Sequence, residues 1–136
     1  MIIAIDFDGT IVESAFPEIG AEIDGAIDTI KYIISLGHKV ILHTCRTNHE
    51  IEGRRPLDEA AEWLRSRGLE LYAVNDNPEA RMTYGEQTKV SADLYIDDRA
   101  FGVPTVDGHV DWEAVRAHFW LKSVREQADN FFRARS

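Results

Sequence analysis

Short apolar runs alternate with amphipathic stretches along this chain. Met1 to Phe7 is apolar and isoleucine-rich and runs into Asp8-Gly9-Thr10, the pattern of a buried strand ended by a turn. Between Ala26 and Leu36, Ile27, Ile30 and Ile34, with Tyr32 and Ile33, form a helical stripe. Asp24 is placed to cap that helix and Gly37 to stop it. Lys39–Thr44 (KVILHT) reads as the second strand. Pro56 suits the first position of a helix reaching Arg67, with Leu57, Ala60, Ala61 and Leu64 on one face and Gly68 behind them. Leu69–Val74 reads as a third strand, closed by Asn75-Asp76-Asn77-Pro78. Ala92–Ile96 is a fourth, ending at Asp97-Asp98. Val103–Val106 is a short fifth candidate, confined by Pro104 to an edge. Asp111 opens helical sequence that extends towards the C-terminus, with Trp112, Val115, Phe119 and Val124 facing a core.

Strands that alternate with helices imply βαβ units, so the pattern predicts an α/β fold around a central, mostly parallel sheet. Ligands of such sheets sit outside the carboxyl ends of the strands. The polar residues of interest fall there: Asp6 and Asp8 after strand one, Thr44 after strand two, Asp97 and Asp98 after strand four.

Composition narrows the partners. The 136 residues suit one domain, 1–136, with no linker or repeat dividing them. Acids outnumber bases 24 to 15 for a net charge of -9, which argues against a nucleic-acid backbone or an anionic membrane as partner. A small phosphorylated ligand needs only local positive charge and stays open. With one cysteine, Cys45, no leader-like start and no long apolar run, the expectation is a soluble, cytoplasmic protein.

Four carboxylates at one rim repel each other unless a cation offsets them. Oxygen ligands in that number suit Mg²⁺, which keeps positions for water and for a substrate phosphate. Asp6 and Asp8 are two apart at a strand end, so both can approach one phosphorus, one as nucleophile and one as acid/base. Gly9 lets the backbone turn sharply after them. Lys89 and Thr44 can contact a phosphoryl group, although Lys39 or a nearby arginine can serve instead of Lys89. Arg46, two residues after Thr44, has two readings: a bidentate phosphate contact or a structural ion pair. His38, His43 and His49 lack zinc-ligand spacing.

Asp6-Phe7-Asp8-Gly9-Thr10 after an apolar strand resembles the first motif of the haloacid dehalogenase-like (HAD) phosphohydrolase superfamily. Thr44 after Val40-Ile41-Leu42-His43 resembles the second motif, Lys89 the third, and Tyr95-Ile96-Asp97-Asp98 the fourth, in the family's order over residues 2 to 98. The resemblance implies a HAD-like, Rossmann-like three-layer sandwich and a Mg²⁺-dependent phosphatase for phosphate monoesters. In it, Asp6 is nucleophile and metal ligand, and Asp8 is general acid/base with its backbone carbonyl on the metal. Thr44 and Lys89 hold the phosphoryl group. Asp97 and Asp98 bind Mg²⁺, one directly and one through water, with Asp98 favoured as the direct ligand.

Family members carry caps after the first motif or before the third. Ile11–Gly25 and Val74–Lys89 are too short for one, which implies a capless type with Asn75–Gln87 as a candidate flap and a homo-oligomer as one way to cover the site. Val90–Arg99 is also similar to the fourth-motif region of 5'(3')-deoxyribonucleotidases, so a 5'-nucleotidase acting on nucleoside monophosphates is an alternative. A receiver-like or non-catalytic phosphate-binding domain is the alternative from another class. It needs a lone phosphoacceptor after the third strand, where Asp76 stands.

Overall fold

The computed structural model describes residues 1–135. Four strands form one sheet: β1 (Ile2–Ile5), β2 (Lys39–Leu42), β3 (Ala73–Val74) and β4 (Leu94–Ile96). Their order is β3-β2-β1-β4 and every pairing is parallel. β1 pairs on both sides, Ile5 lying beside Leu42 on one flank and Ile96 on the other. A parallel sheet is covered on both faces, which is why its central strands are apolar over Ile2–Ile5 and at residues 40–42. Helices α1 (Ala26–Ser35), α2 (Pro56–Ser66), α3 (Pro78–Tyr84) and α4 (Trp112–Arg135) flank it in a Rossmann-like three-layer α/β fold. No cap domain interrupts the described residues.

Alternation along the strands divides the core. Ile3, Ile5, Phe7, Val40, Leu42 and Ile96 join Ile27, Ile30 and Ile33 of α1, Ala60, Ala61 and Leu64 of α2, and Val115 and Phe119 of α4 in one buried cluster. Ala4 and Ile41, of the opposite parity, are buried too. On that side Ala80, Thr83 and Tyr84 of α3 gather with Ile2 around a shallow cavity. α1 and α4 also pack on each other, and the Thr29 hydroxyl donates to the Trp112 carbonyl at 3.3 Å.

The helix ends show how local chemistry sets boundaries. α1 is preceded by Gly25 at φ 79 and not capped by Asp24. The carboxylate of Glu22 accepts the Ile27 N–H at 3.0 Å instead, because the left-handed turn at Gly25 brings residue 22 to the helix end. α2 starts on Pro56 as expected and closes through Gly68 at φ 84, with the Leu69 N–H returning to the Leu64 carbonyl at 3.2 Å. That return uses Leu69 to finish the helix, so the expected strand over Leu69–Val74 shortens to Ala73–Val74. Asp111 does cap α4: its Oδ1 accepts the Ala114 N–H at 3.0 Å.

Two further expectations are corrected. Val103–Val106 is not an edge strand of the main sheet. Thr105–Val106 (β5) pairs antiparallel with His109–Val110 (β6) in a separate hairpin, its turn carrying Asp107 and Gly108 at positive φ. Val124 does not face the core but is 42% exposed, because α4 outruns the sheet after Phe119. The stretch Asn75–Gln87 contains α3, whose residues Met82 and Tyr84 are exposed. No helix among the described residues is long and apolar enough to cross a membrane.

Candidate metal and phosphate site

The carboxyl ends of β1 and β4 are neighbours, so the residues that follow them meet. One carboxylate oxygen from each of Asp6, Asp97 and Asp98 lies within 4.8 Å of the others. The backbone between these strands is fixed by the Asp6 N–H donating to the Ile96 carbonyl at 2.9 Å. Three convergent carboxylate oxygens form a hard, anionic donor set that fits an Mg²⁺-like cation.

Thr10 ties the cluster together. It is fully buried, and its Oγ1 lies 3.1 Å from Asp6 Oδ2 and 3.1 Å from Asp98 Oδ1, so its single proton serves either acid. The same oxygen accepts the Asp98 N–H at 3.0 Å. The turn that carries Thr10 is wound on the Phe7 carbonyl, which accepts from the N–H groups of Thr10 and Ile11. Gly9 sits at φ +85, and a Cβ there would lie 2.6 Å from Asp98 Oδ2. Only glycine meets both the left-handed backbone and the close approach of that carboxylate. From the far side, the buried indole of Trp112 donates to the Thr10 carbonyl at 2.9 Å, so the first turn of α4 braces the site.

Burial pushes the Asp6 carboxyl up to about 7, with the negative charge of Asp97 and hydrogen bonding to Asp98 adding to the rise. A hydrogen bond from the Phe7 backbone and one from Thr10 work in the other direction. Burial outweighs them, so without a cation the Asp6 carboxyl is held well above the usual carboxylate range.

Asp8 stands apart. Its carboxylate is not in the three-acid cluster but is gripped by Arg46, Nε to Oδ2 and Nη2 to Oδ1, each at 2.8 Å. Arg46 is 2% exposed. The ion pair, the second of the two readings its position allowed, is thus present in the structure.

Thr44 follows β2 and is half-buried, its N–H donating to Asn75 Oδ1 at 2.8 Å and its Oγ1 accepting the Arg46 N–H at 3.1 Å. An accepting hydroxyl still has a proton to give. Lys89 is exposed, and its Nζ sits 5.0 Å from the centroid of the Tyr95 ring instead of on one of the acids. Lys39, its stand-in, opens β2 at the amino end of the sheet, with Nζ over Tyr72. Asp76, the acid a receiver needs, pairs with Arg81 at 3.1 Å.

Three contributors went unassigned from the pattern alone. Thr10 was visible in the Asp-Phe-Asp-Gly-Thr run, but its double contact depends on β4 being the neighbour of β1. Asn75, at φ 48, bonds Thr44 and reaches the Arg46 carbonyl at 3.4 Å, yet Asn-Asp-Asn-Pro signals only a turn. Trp112 looks like any core aromatic until its N–H is paired.

No family model matches the chain, and no curated protein matches it. A solved structure, described as that of the conserved protein coded by locus from Bacteroides thetaiotaomicron, is similar at 45% identity and a TM-score of 0.72. The alignment covers 90% of this chain and 91% of that one. With that identity over that share of both chains, this protein belongs to the same family as the Bacteroides thetaiotaomicron conserved protein.

Proposed function

We propose that this protein is a Mg²⁺-dependent phosphatase of the HAD type that cleaves a phosphate monoester through an aspartyl-phosphate on Asp6. The observation that carries the reading is the meeting of Asp6, Asp97 and Asp98 at the tips of adjacent parallel strands. Asp6, Asp97 and Asp98 would hold the Mg²⁺, which would supply positive charge to keep Asp6 ionised and to draw negative charge off the phosphoryl oxygens.

The chain's own residues do the rest. A carboxylate oxygen of Asp6 attacks phosphorus, and the bond to the ester oxygen breaks. The leaving oxygen takes the proton carried by the Asp8 carboxyl, two residues on, which leaves Asp8 as a carboxylate. Water then attacks the acyl phosphate, giving its proton to Asp8 and releasing inorganic phosphate with Asp6 restored. Thr44 donates its hydroxyl proton to a phosphoryl oxygen, and Lys89, on a flexible stem at the rim, adds a positive charge when phosphate is bound. Thr10 holds Asp6 and Asp98 in register throughout. The open rim, with no cap over it, fits a substrate whose leaving group projects into solvent or is large.

The test is phosphate release from an aryl phosphate with Mg²⁺. The reading expects turnover that a chelator abolishes and that Asp6→Asn lacks. Activity persisting in Asp6→Asn removes the nucleophile and the proposal with it.

A further inference from the structure

We infer that Arg46 is a positioning residue for Asp8, fixing the carboxylate that meets the leaving group, and is not a phosphate ligand. The inference rests on the reading of Asp8 given above. A guanidinium has five N–H donors. In Arg46 the Nε and one Nη2 proton go to Asp8, the other Nη2 proton to the Glu18 carbonyl at 2.8 Å, and Nη1 to the carbonyls of Pro17 at 3.1 Å and Pro56 at 3.4 Å. Every donor is taken, and none remains for a phosphate oxygen.

The group also has no room to move. The rings of Phe7 and Phe16 each lie 5.2 Å from the guanidinium carbon. Its side chain is 1% exposed, whereas that of Asp8 is 21% exposed. The pair thus has a buried, saturated half and a half that opens to solvent. A two-point fork fixes both torsions of the aspartate side chain, where a single contact leaves it free to rotate. Each Asp8 oxygen uses one lone pair on Arg46 and keeps the other for a proton on the solvent side. The same guanidinium fastens the 17–18 backbone of the loop after β1 to the first turn of α2, so the orientation of Asp8 is set jointly by two segments.

The experiment is a double-mutant cycle with Arg46→Lys and Asp8→Asn, read as kcat and KM on an alkyl phosphate, with thermal melts to confirm folding. Lysine keeps the charge and loses the fork. Arg46→Lys is expected to lower kcat about 10²-fold, the scale of a misplaced catalytic group, with KM changed by less than about threefold. In the Asp8→Asn background the same change should cost less than about twofold, because the group it positions is already gone. A raised KM at unchanged kcat, or a loss of equal size in both backgrounds, overturns the inference. If Arg46→Lys does not fold, the wild type decides the matter by NMR of the Arg46 Nε–H. That resonance should stay put when Mg²⁺ and inorganic phosphate are added and should move in Asp8→Asn. A shift on phosphate addition overturns the inference. The NMR reading is independent of turnover, so an active Asp6→Asn enzyme refutes the phosphatase proposal and leaves the Arg46 assignment to be judged on its own.

Discussion

Replacing Asp6 by asparagine should make the metal-free protein more stable at pH 8 and leave it little changed at pH 4. The buried Asp6 carboxyl titrates at about 7 in the folded chain against 3.8 as its ordinary value. Between those values the folded state holds a proton that the unfolded state has lost. Stability from this group therefore falls as pH rises from about 4 to 7 and is flat above. The full difference corresponds to at most about 4 kcal/mol. Asp6 is only partly buried, so water and side-chain relaxation reduce this to about 2 kcal/mol. Asparagine has no charge to desolvate and keeps an oxygen that accepts from Thr10. For a chain of this length the gain amounts to about 7 °C in melting temperature. The assay is thermal melting of wild type and Asp6→Asn in chelator from pH 4 to 8, reading the difference between them. Excess Mg²⁺ at pH 8 should then raise the wild type more than the mutant and narrow the gap, since the mutant offers the cation one carboxylate fewer. A mutant no more stable than wild type at pH 8, or a gap independent of pH, refutes the reasoning.

Other perturbations follow from the same geometry. Gly9→Ala puts a Cβ 2.6 Å from Asp98 Oδ2 at φ +85, so it should cost about 1–3 kcal/mol and weaken Mg²⁺ binding at least tenfold by calorimetry. Trp112→Phe keeps most of the packing but leaves the Thr10 carbonyl without its donor, and should lower stability by about 1–3 kcal/mol in denaturant titration. Phe119→Ala, on the buried face of α4, should cost about 3–5 kcal/mol while kcat stays within twofold in the fraction that remains folded, since its ring packs on His38 and His118. A stability unchanged in any of these would show that the stated contact contributes nothing.

The α/β pattern could be read from sequence because a parallel sheet forces local chemistry to be monotonous. Ile2–Ile5 and Val40–Leu42 have no polar position to disguise them, and Gly68 with Pro56 bounds α2 by backbone conformation alone. The same reasoning put Asp6 and Asp97–Asp98 at one rim, and the strand order β2-β1-β4 brings them within reach of one ion. What escaped was set by partners far along the chain. Glu22 displaces Asp24 as the cap of α1 only because Gly25 turns left-handed. Val103–Val106 leaves the sheet because His109–Val110 offers a closer partner across a two-residue turn. Arg46 is two residues from Thr44, a spacing that suggests phosphate. Its fate depends on Asp8, Pro17, Glu18 and Pro56, which no local pattern joins to it.

The central claim is that the carboxylate of Asp6 accepts a phosphoryl group. Acid-quenching the protein during turnover of an aryl phosphate with Mg²⁺, then mapping peptides by mass spectrometry after borohydride reduction, tests it directly. The account predicts a reduced aspartate at position 6 that is absent with chelator and in Asp6→Asn. Labelling at another residue such as Asp76, or steady turnover with Asp6 never modified, would contradict it.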